Sequence, residues 1–135
     1  IASDAGRGFV IKEDDVMAQT KNGKQAINLK PGQEAQAITF VNDDHDHVAV
    51  IGTNRKLLIF PLEELPEMGR GAGVILQKYG QGGLFAVTTL KLHEGLSWQT
   101  GAGIRTEPNI KKWVGKRAQA GQLPFKGFPK SSRFK

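Results

Sequence analysis

The chain alternates short apolar runs with polar turns, and no stretch is long or regular enough at a 3.6-residue spacing to predict a substantial helix. The runs are Phe9-Val10-Ile11, Ala37-Ile38-Thr39-Phe40-Val41, Val48-Ala49-Val50-Ile51, Leu57-Leu58-Ile59-Phe60, Val74-Ile75-Leu76 and Leu84-Phe85-Ala86-Val87. Each is apolar or β-branched and bounded by Gly, Asn, Asp or Pro, which is how strands between tight turns are written. Single helical turns are expected around Glu13-Asp14-Asp15-Val16 and Leu62-Glu63-Glu64-Leu65, where carboxylates suit the positive N-terminal end of a helix. The predicted class is all-β.

The pattern repeats. Ser3-Asp4-Ala5-Gly6-Arg7-Gly8-Phe9-Val10-Ile11, followed by Lys12-Glu13-Asp14-Asp15-Val16, is echoed by Gly52-Thr53-Asn54-Arg55-Lys56-Leu57-Leu58-Ile59-Phe60 and Pro61-Leu62-Glu63-Glu64-Leu65. A Gly/basic segment comes next in both, as Lys21-Asn22-Gly23-Lys24 and Gly69-Arg70-Gly71-Ala72-Gly73. A weaker third copy runs from Trp98 through Gly101-Ala102-Gly103-Ile104-Arg105 and Pro108-Asn109-Ile110 to Gly115-Lys116-Arg117 and Gly121. A period of about 48 residues with about four strands per unit predicts a bladed, propeller-like array, with units at approximately 1–48, 49–95 and 96–135. Propellers usually close with about four to eight blades, so three units are expected to form an open arc of a larger assembly. The opening on Ile1 rather than Met agrees with a fragment of a longer protein.

Composition changes the picture in two ways. The 135 residues contain 17 Gly and no Cys, which suits a turn-rich fold and excludes disulfides, thiolate catalysis and Cys-based metal sites. Cysteine absence fits a reducing cytoplasm, and no signal peptide or membrane-length apolar run is visible in this stretch, any targeting signal being left to the part that precedes it. Charge is divided unevenly. Residues 1–67 carry 7 Lys/Arg against 11 Asp/Glu, whereas residues 68–135 carry 12 against 2. The second half therefore presents a field that attracts polyanions.

Catalytic and metal chemistry find little support. Tyr79, the sole tyrosine, lies in the turn-like Lys78-Tyr79-Gly80-Gln81-Gly82-Gly83 with no acidic cluster nearby and reads as structural. Asp43-Asp44-His45-Asp46-His47 is the nearest approach to a metal site, but a polar turn before Val48 explains it equally well, and no metal ligand is assigned. His93 has no evident partner. No Gly-rich string ends in Gly-Lys-Ser/Thr at a helix start, so a nucleotide loop is not indicated.

The string Ile1-Ala2-Ser3-Asp4-Ala5-Gly6-Arg7-Gly8-Phe9-Val10 with Lys21-Asn22-Gly23-Lys24, and Leu57 to Pro66 with Gly69 to Gly73, resembles blades of the C-terminal domains of the bacterial DNA topoisomerase IV A subunits, the ParC family. The third unit resembles that family's last blade, with Gly115-Lys116-Arg117 in its basic loop. The resemblance implies a partial β-pinwheel, a propeller-like arc of about three four-stranded blades whose hairpins cross to their neighbours. It also implies that bent duplex DNA is held on a basic rim, to guide topology preference in decatenation and supercoil relaxation. The related gyrase A domain, which wraps DNA, carries a glutamine–arginine–arginine–glycine–glycine box. No such box stands in this stretch, which favours the topoisomerase IV side; a gyrase A wrapping domain with its box in an upstream blade is the alternative. DNA cleavage, ATP and Mg would belong to other domains and to the ATPase subunit, leaving this chain without catalytic residues or cofactor and, in isolation, monomeric. The parent would act at the nucleoid.

The DNA-facing candidates on this reading are Arg7, Lys21, Lys24, Arg55, Lys56, Arg70, Arg105, Lys111, Lys112, Lys116 and Arg117. Lys126, Lys130, Arg133 and Lys135 read as a flexible tail adding non-specific attraction. Two rivals stand beside this reading. One is an RNA-binding module stacking bases on Trp98, Trp113, Phe125, Phe128 and Phe134, although packing of both tryptophans in the last blade is favoured. The other is a protein-interaction module with incidental charge.

Overall fold

In the computed structural model, described for residues 1–11, 35–37, 39, 41, 43–68, 73–100, 102–124, 128–129 and 134, the named elements are short strands and three single 3-10 turns, with no α-helix among them. The strands are β1 (Ala2–Ser3), β2 (Arg7–Gly8), β3 (Ala35–Ala37), β4 (His47–Gly52), β5 (Leu57–Pro61), β6 (Val74–Ile75), β7 (Leu84–Leu90), β8 (Leu96–Thr100) and β9 (Gly103–Glu107). The all-β expectation holds. The helical turn expected at Leu62 is a 3-10 turn over Leu62–Glu64, while that at Glu13 lies outside the described residues.

Three sheets form, ordered β3-β1-β2-β6, β5-β4-β7 and β8-β9. The first two share a register. Ala2 faces Gly8 on one side and Ala37 on the other, and 49 positions later Ile51 faces Leu57 and Ala86. Each hairpin then receives a segment from the following unit on its second strand. Gly8 pairs with Val74, and Leu57 with Gln122. Parallel bridges Val10–Glu67 and Ile59–Val114 recur beside them. Four strands are thus present in the first sheet, while the second has three and is joined on its β5 edge by isolated bridges from Val114 and Gln122.

The crossing segments approach so closely that one position in each must be glycine. Gly73 and Gly121 both adopt left-handed backbone, φ 76 and 82. A Cβ on Gly73 would strike the Gly8 carbonyl, and one on Gly121 the carbonyl of Leu57. L-residues with a Cβ pay a conformational penalty in that region even in open space.

The middle sheet explains why its strands read as unbroken apolar runs. Ala49, Ile51, Leu57 and Ile59 face one cluster with Leu90, Leu96, Trp98, Ile110, Phe128 and Phe134. Val48, Val50, Leu58 and Phe60 face another with Ala2, Leu76 and Leu84. A sheet covered on both faces has no solvent side on which to place polar residues. The third hairpin is covered on one face, so β8 alternates buried Leu96 and Trp98 with exposed Ser97 and Gln99.

The third sheet is also met by Phe134 from near the chain's end. The Gln99 N–H donates to the Phe134 carbonyl at 3.0 Å, at the place where Ala37 and Ala86 sit in the earlier sheets. Phe128 and Phe134 are buried, with Trp98 5.7 Å from Phe128 and Phe128 5.8 Å from Phe134, centroid to centroid. The expectation of a loose tail is corrected at these points, because its aromatic side chains complete an apolar core. Lys126, Lys130, Arg133 and Lys135 lie outside the described residues.

Candidate nucleic-acid interface

The candidate cations divide by environment. Lys56, Arg105, Lys111, Lys112 and Lys116 are exposed, whereas Arg7, Arg55 and Arg117 are half-buried. Lys21, Lys24 and Arg70 lie outside the described residues.

A hydrogen-bond network brings part of the exposed group together. The side chain of Gln77, buried at 1% exposure, donates from Nε2 to the carbonyls of Lys56 and Ala120, each at 2.9 Å. The Lys78 N–H donates to the Gln119 carbonyl at 3.0 Å, and the Lys116 N–H to Gln119 Oε1 at 3.1 Å. Backbone from two units is thereby fixed side by side, and Lys56, Lys78 and Lys116 all emerge exposed from it. Lys78 was missed in the sequence because it belongs to no recognised Gly/basic loop. Its position two residues after buried Leu76 was the available signal.

The arginines have structural attachments. Arg117 Nη1 donates to the Ile75 carbonyl at 2.7 Å while its backbone N–H donates to Glu64 Oε1 at 2.7 Å. Arg7 Nη1 reaches the Gly73 carbonyl at 3.5 Å, and Arg55 Nη1 the Pro129 carbonyl at 3.0 Å. Arg55 also has φ 65 and closes the same turn as Gly6: Arg55 N–H to the Gly52 carbonyl at 2.9 Å, Gly6 N–H to the Ser3 carbonyl at 3.0 Å. Lys111 and Lys112 lie on the 3-10 turn Lys111–Trp113, with Lys112 Nζ 6.0 Å from the Trp113 ring centre. Arg105 sits on β9, apart from the Gln77 network.

The groups weighed for other chemistry are engaged in holding the fold. The Tyr79 ring lies against the Gly6 and Gly52 turns, where a Cβ on either glycine would meet it. Burial pushes its hydroxyl well above the ordinary phenol range, so it is a poor nucleophile near neutral pH. His45 Nδ1 lies 2.7 Å from Thr89 Oγ1. Asp46 Oδ1 meets His47 Nδ1 at 2.8 Å and accepts the Leu92 N–H at 2.9 Å; these contacts hold its carboxyl below the usual range, the His47 bond contributing most. Asp44 pairs with Lys91 at 3.1 Å, and that bond lowers the Asp44 pKa and raises that of Lys91. Among the described residues no three His, Cys, Asp or Glu side chains converge as a metal site. Nor is any helix there long and apolar enough to cross a membrane.

The base-stacking alternative loses most of its platform. Trp98, Phe128 and Phe134 are buried, and the half-buried Trp113 donates from Nε1 to the Leu123 carbonyl at 2.8 Å. Of the two tryptophans expected in the last blade's core, Trp98 is buried in the apolar cluster and Trp113 packs half-buried against it. Phe125 lies outside the described residues.

A model of the family described as "DNA gyrase C-terminal domain, beta-propeller" matches residues 1–42 and 46–85. The DNA topoisomerase 4 A subunit of Rickettsia bellii is 46% identical over 134 residues, covering 99% of this chain and 18% of that protein. Its counterpart from Caulobacter vibrioides is 46% identical over 136 residues, covering 100% and 18%. The structure of the E. coli ParC C-terminal domain superposes with a TM-score of 0.74 at 27% identity, over 93% of this chain and 54% of that one. The chain thus spans less than a fifth of the length of these curated relatives. With the exchanged strands described above, these likenesses identify the fold as a partial β-pinwheel.

Proposed function

The chain belongs to the DNA gyrase C-terminal domain family of β-propellers, and from that premise we propose that it is a non-catalytic module of a topoisomerase IV ParC protein, holding and bending duplex DNA on a cationic rim. The observation that carries the reading is the exposed lysine group Lys56, Lys78 and Lys116, held by the Gln77 network, with Lys78 and Lys116 in the half of the chain that has 12 Lys/Arg against 2 Asp/Glu. Such a surface meets phosphates and is indifferent to bases. Lys111, Lys112 and Arg105 add exposed positive charge elsewhere on the same half of the chain. The half-buried Arg7, Arg55 and Arg117 serve it chiefly by fixing the turns that carry the lysines.

DNA is stiff at this scale, with a persistence length of about 150 base pairs, and bending a short site costs on the order of 1–6 kcal/mol. Several phosphate contacts on a curved rim offset that cost. In this reading strand cleavage, Mg and ATP hydrolysis belong to other domains and to the ATPase subunit. The parent enzyme works on the nucleoid in the cytoplasm.

Binding of duplex DNA should weaken with salt at roughly 0.9 log units per phosphate contact for each log unit of salt. Combining Lys56→Glu with Lys116→Glu should lower affinity for every duplex sequence alike and reduce the salt slope by about 2. Affinity that stays flat with salt, or a loss confined to one sequence, would refute the proposal.

A further inference from the structure

The residues from Leu76 to Tyr79 lie where three stretches of the chain meet. The Leu76 N–H donates to the Gly6 carbonyl in the first hairpin's turn at 2.7 Å, and the Leu76 carbonyl accepts the Ala118 N–H of the last unit at 2.8 Å. Exposed Lys78 stands between two inward-facing neighbours: Gln77, which is buried, and Tyr79, whose ring lies against the Gly6 and Gly52 turns.

Gln77 brings a buried polar group to this junction. Its Nε2 donates to the Lys56 carbonyl, on the β4–β5 turn, and to the Ala120 carbonyl, each at 2.9 Å. Its Oε1 has no hydrogen-bond partner among the described residues, so the carboxamide acts there through its two N–H donors. The crossing of the two units stands without them, because Leu57 and Gln122 exchange hydrogen bonds at 2.7 and 3.0 Å beside this point. What Gln77 adds is a shared donor for two carbonyl oxygens that would otherwise repel each other. The turn bearing Lys56 is thereby drawn onto the segment whose Gln119 holds Lys78 and Lys116 through their N–H groups, at 3.0 and 3.1 Å.

We propose that Gln77 is the positioning residue that makes this surface discriminate curved duplex from straight duplex. The role rests on the surface being one that holds DNA, and it assigns to one side chain the part of that function concerned with shape. On the inner side of a bend the phosphates crowd together and repel each other, which is part of what makes bending costly. Ammonium groups gathered at one place relieve that repulsion most where the phosphates are most crowded. Lysines held at a fixed, close spacing therefore gain more from a bent duplex than the same three lysines spread apart. Buried Gln77 acts on the duplex only through the backbone that carries them.

Competition binding with two DNA forms of one sequence tests this: a closed minicircle of about 100 base pairs, shorter than one persistence length, and its linear counterpart. The chain should favour the minicircle. Gln77→Met is close in shape and removes both N–H donors. It should lower the minicircle-to-linear affinity ratio about fivefold, the equivalent of one net hydrogen bond. Gln77→Leu should give the same loss, so either variant decides the matter if the other does not fold. Leu96→Val, in the core under the third hairpin, should lower the melting temperature and leave the ratio unchanged. A ratio that survives in the Gln77 variants would overturn the proposal whatever their stability. So would a ratio that falls in Leu96→Val in step with its melting temperature. Equal binding of the two forms by the unaltered chain would remove this inference and leave phosphate binding standing, whereas binding of neither form would refute the proposed function itself.

Discussion

The second and third hairpins, β4–β5 and β8–β9, follow the same plan and meet opposite surroundings. β4–β5 has β7 on one edge, bridging residues Val114 and Gln122 on the other, and apolar clusters on both faces, so its side chains from Val48 to Ile51 and from Leu57 to Phe60 are all buried. β8–β9 is met on one edge by Phe134 and packs through Leu96 and Trp98, while four of the five residues of β9 are exposed. The difference teaches that a strand's composition here records its neighbours more than its own preference.

Matched substitutions at Leu57 and Ile104 give the largest way to break that comparison. Leu57→Ala should cost about 2–5 kcal/mol, the range for emptying a close-packed aliphatic site. Ile104→Ala should change the stability of the 135-residue chain by less than about 0.5 kcal/mol. Chemical denaturation of both variants measures the contrast. Similar losses would mean that β9 is covered in solution.

The same contrast decides what could be read in the sequence. β4 and β5 were legible because burial on both faces leaves an unbroken apolar run, and β7 was recognised but continues three residues past the predicted Val87, through Thr88 and Thr89 to Leu90. The strand limits of β8–β9 were not assigned, although Leu96-Ser97-Trp98-Gln99-Thr100 alternates with period 2. Its partner strand is polar and offers no matching pattern. The tail misled because Lys and Arg dominate its composition, while its function in the fold rests on Phe128 and Phe134. The repeat itself held the correction, since Phe134 falls 48 positions after Ala86. At the candidate interface the lysines were legible as charge. The division between exposed lysines and tethered arginines was not, because carbonyl partners such as Ile75 and Pro129 come from distant parts of the chain.

A smaller effect separates the crossing segment from the hairpin tip. Gly121 and Gly103 both have positive φ, 82 and 124. A Cβ on Gly121 would meet the Leu57 carbonyl, whereas one on Gly103 would meet nothing within 4 Å. Gly121→Ala should therefore destabilise by about 2 kcal/mol or more, combining left-handed strain with a backbone clash. Gly103→Ala should cost about 1 kcal/mol from conformation alone. Equal melting shifts for the two would show that the crossing segment yields to the added methyl, and the close approach would cease to explain the glycine.

The smallest expected effect concerns acid. Asp46 stands at the foot of β4 and holds the turn after β7 through its bond to the Leu92 N–H, a pin with no counterpart described on β8. Its carboxyl titrates below the ordinary value, chiefly through the His47 hydrogen bond and next through Leu92. A group whose folded pKa is depressed stabilises the fold above its unfolded pKa, about 3.9 for Asp, and that contribution disappears as pH falls through the folded pKa. Melting temperature should thus decline below about pH 4, and Asp46→Asn should flatten part of that decline while slightly lowering stability at neutral pH. The side chain is largely exposed, so solvent screening keeps the change small. If Asp46→Asn left both the neutral stability and the acid decline untouched, the Leu92 pin would carry no weight, and the sturdiness of β4–β5 would rest on apolar burial alone.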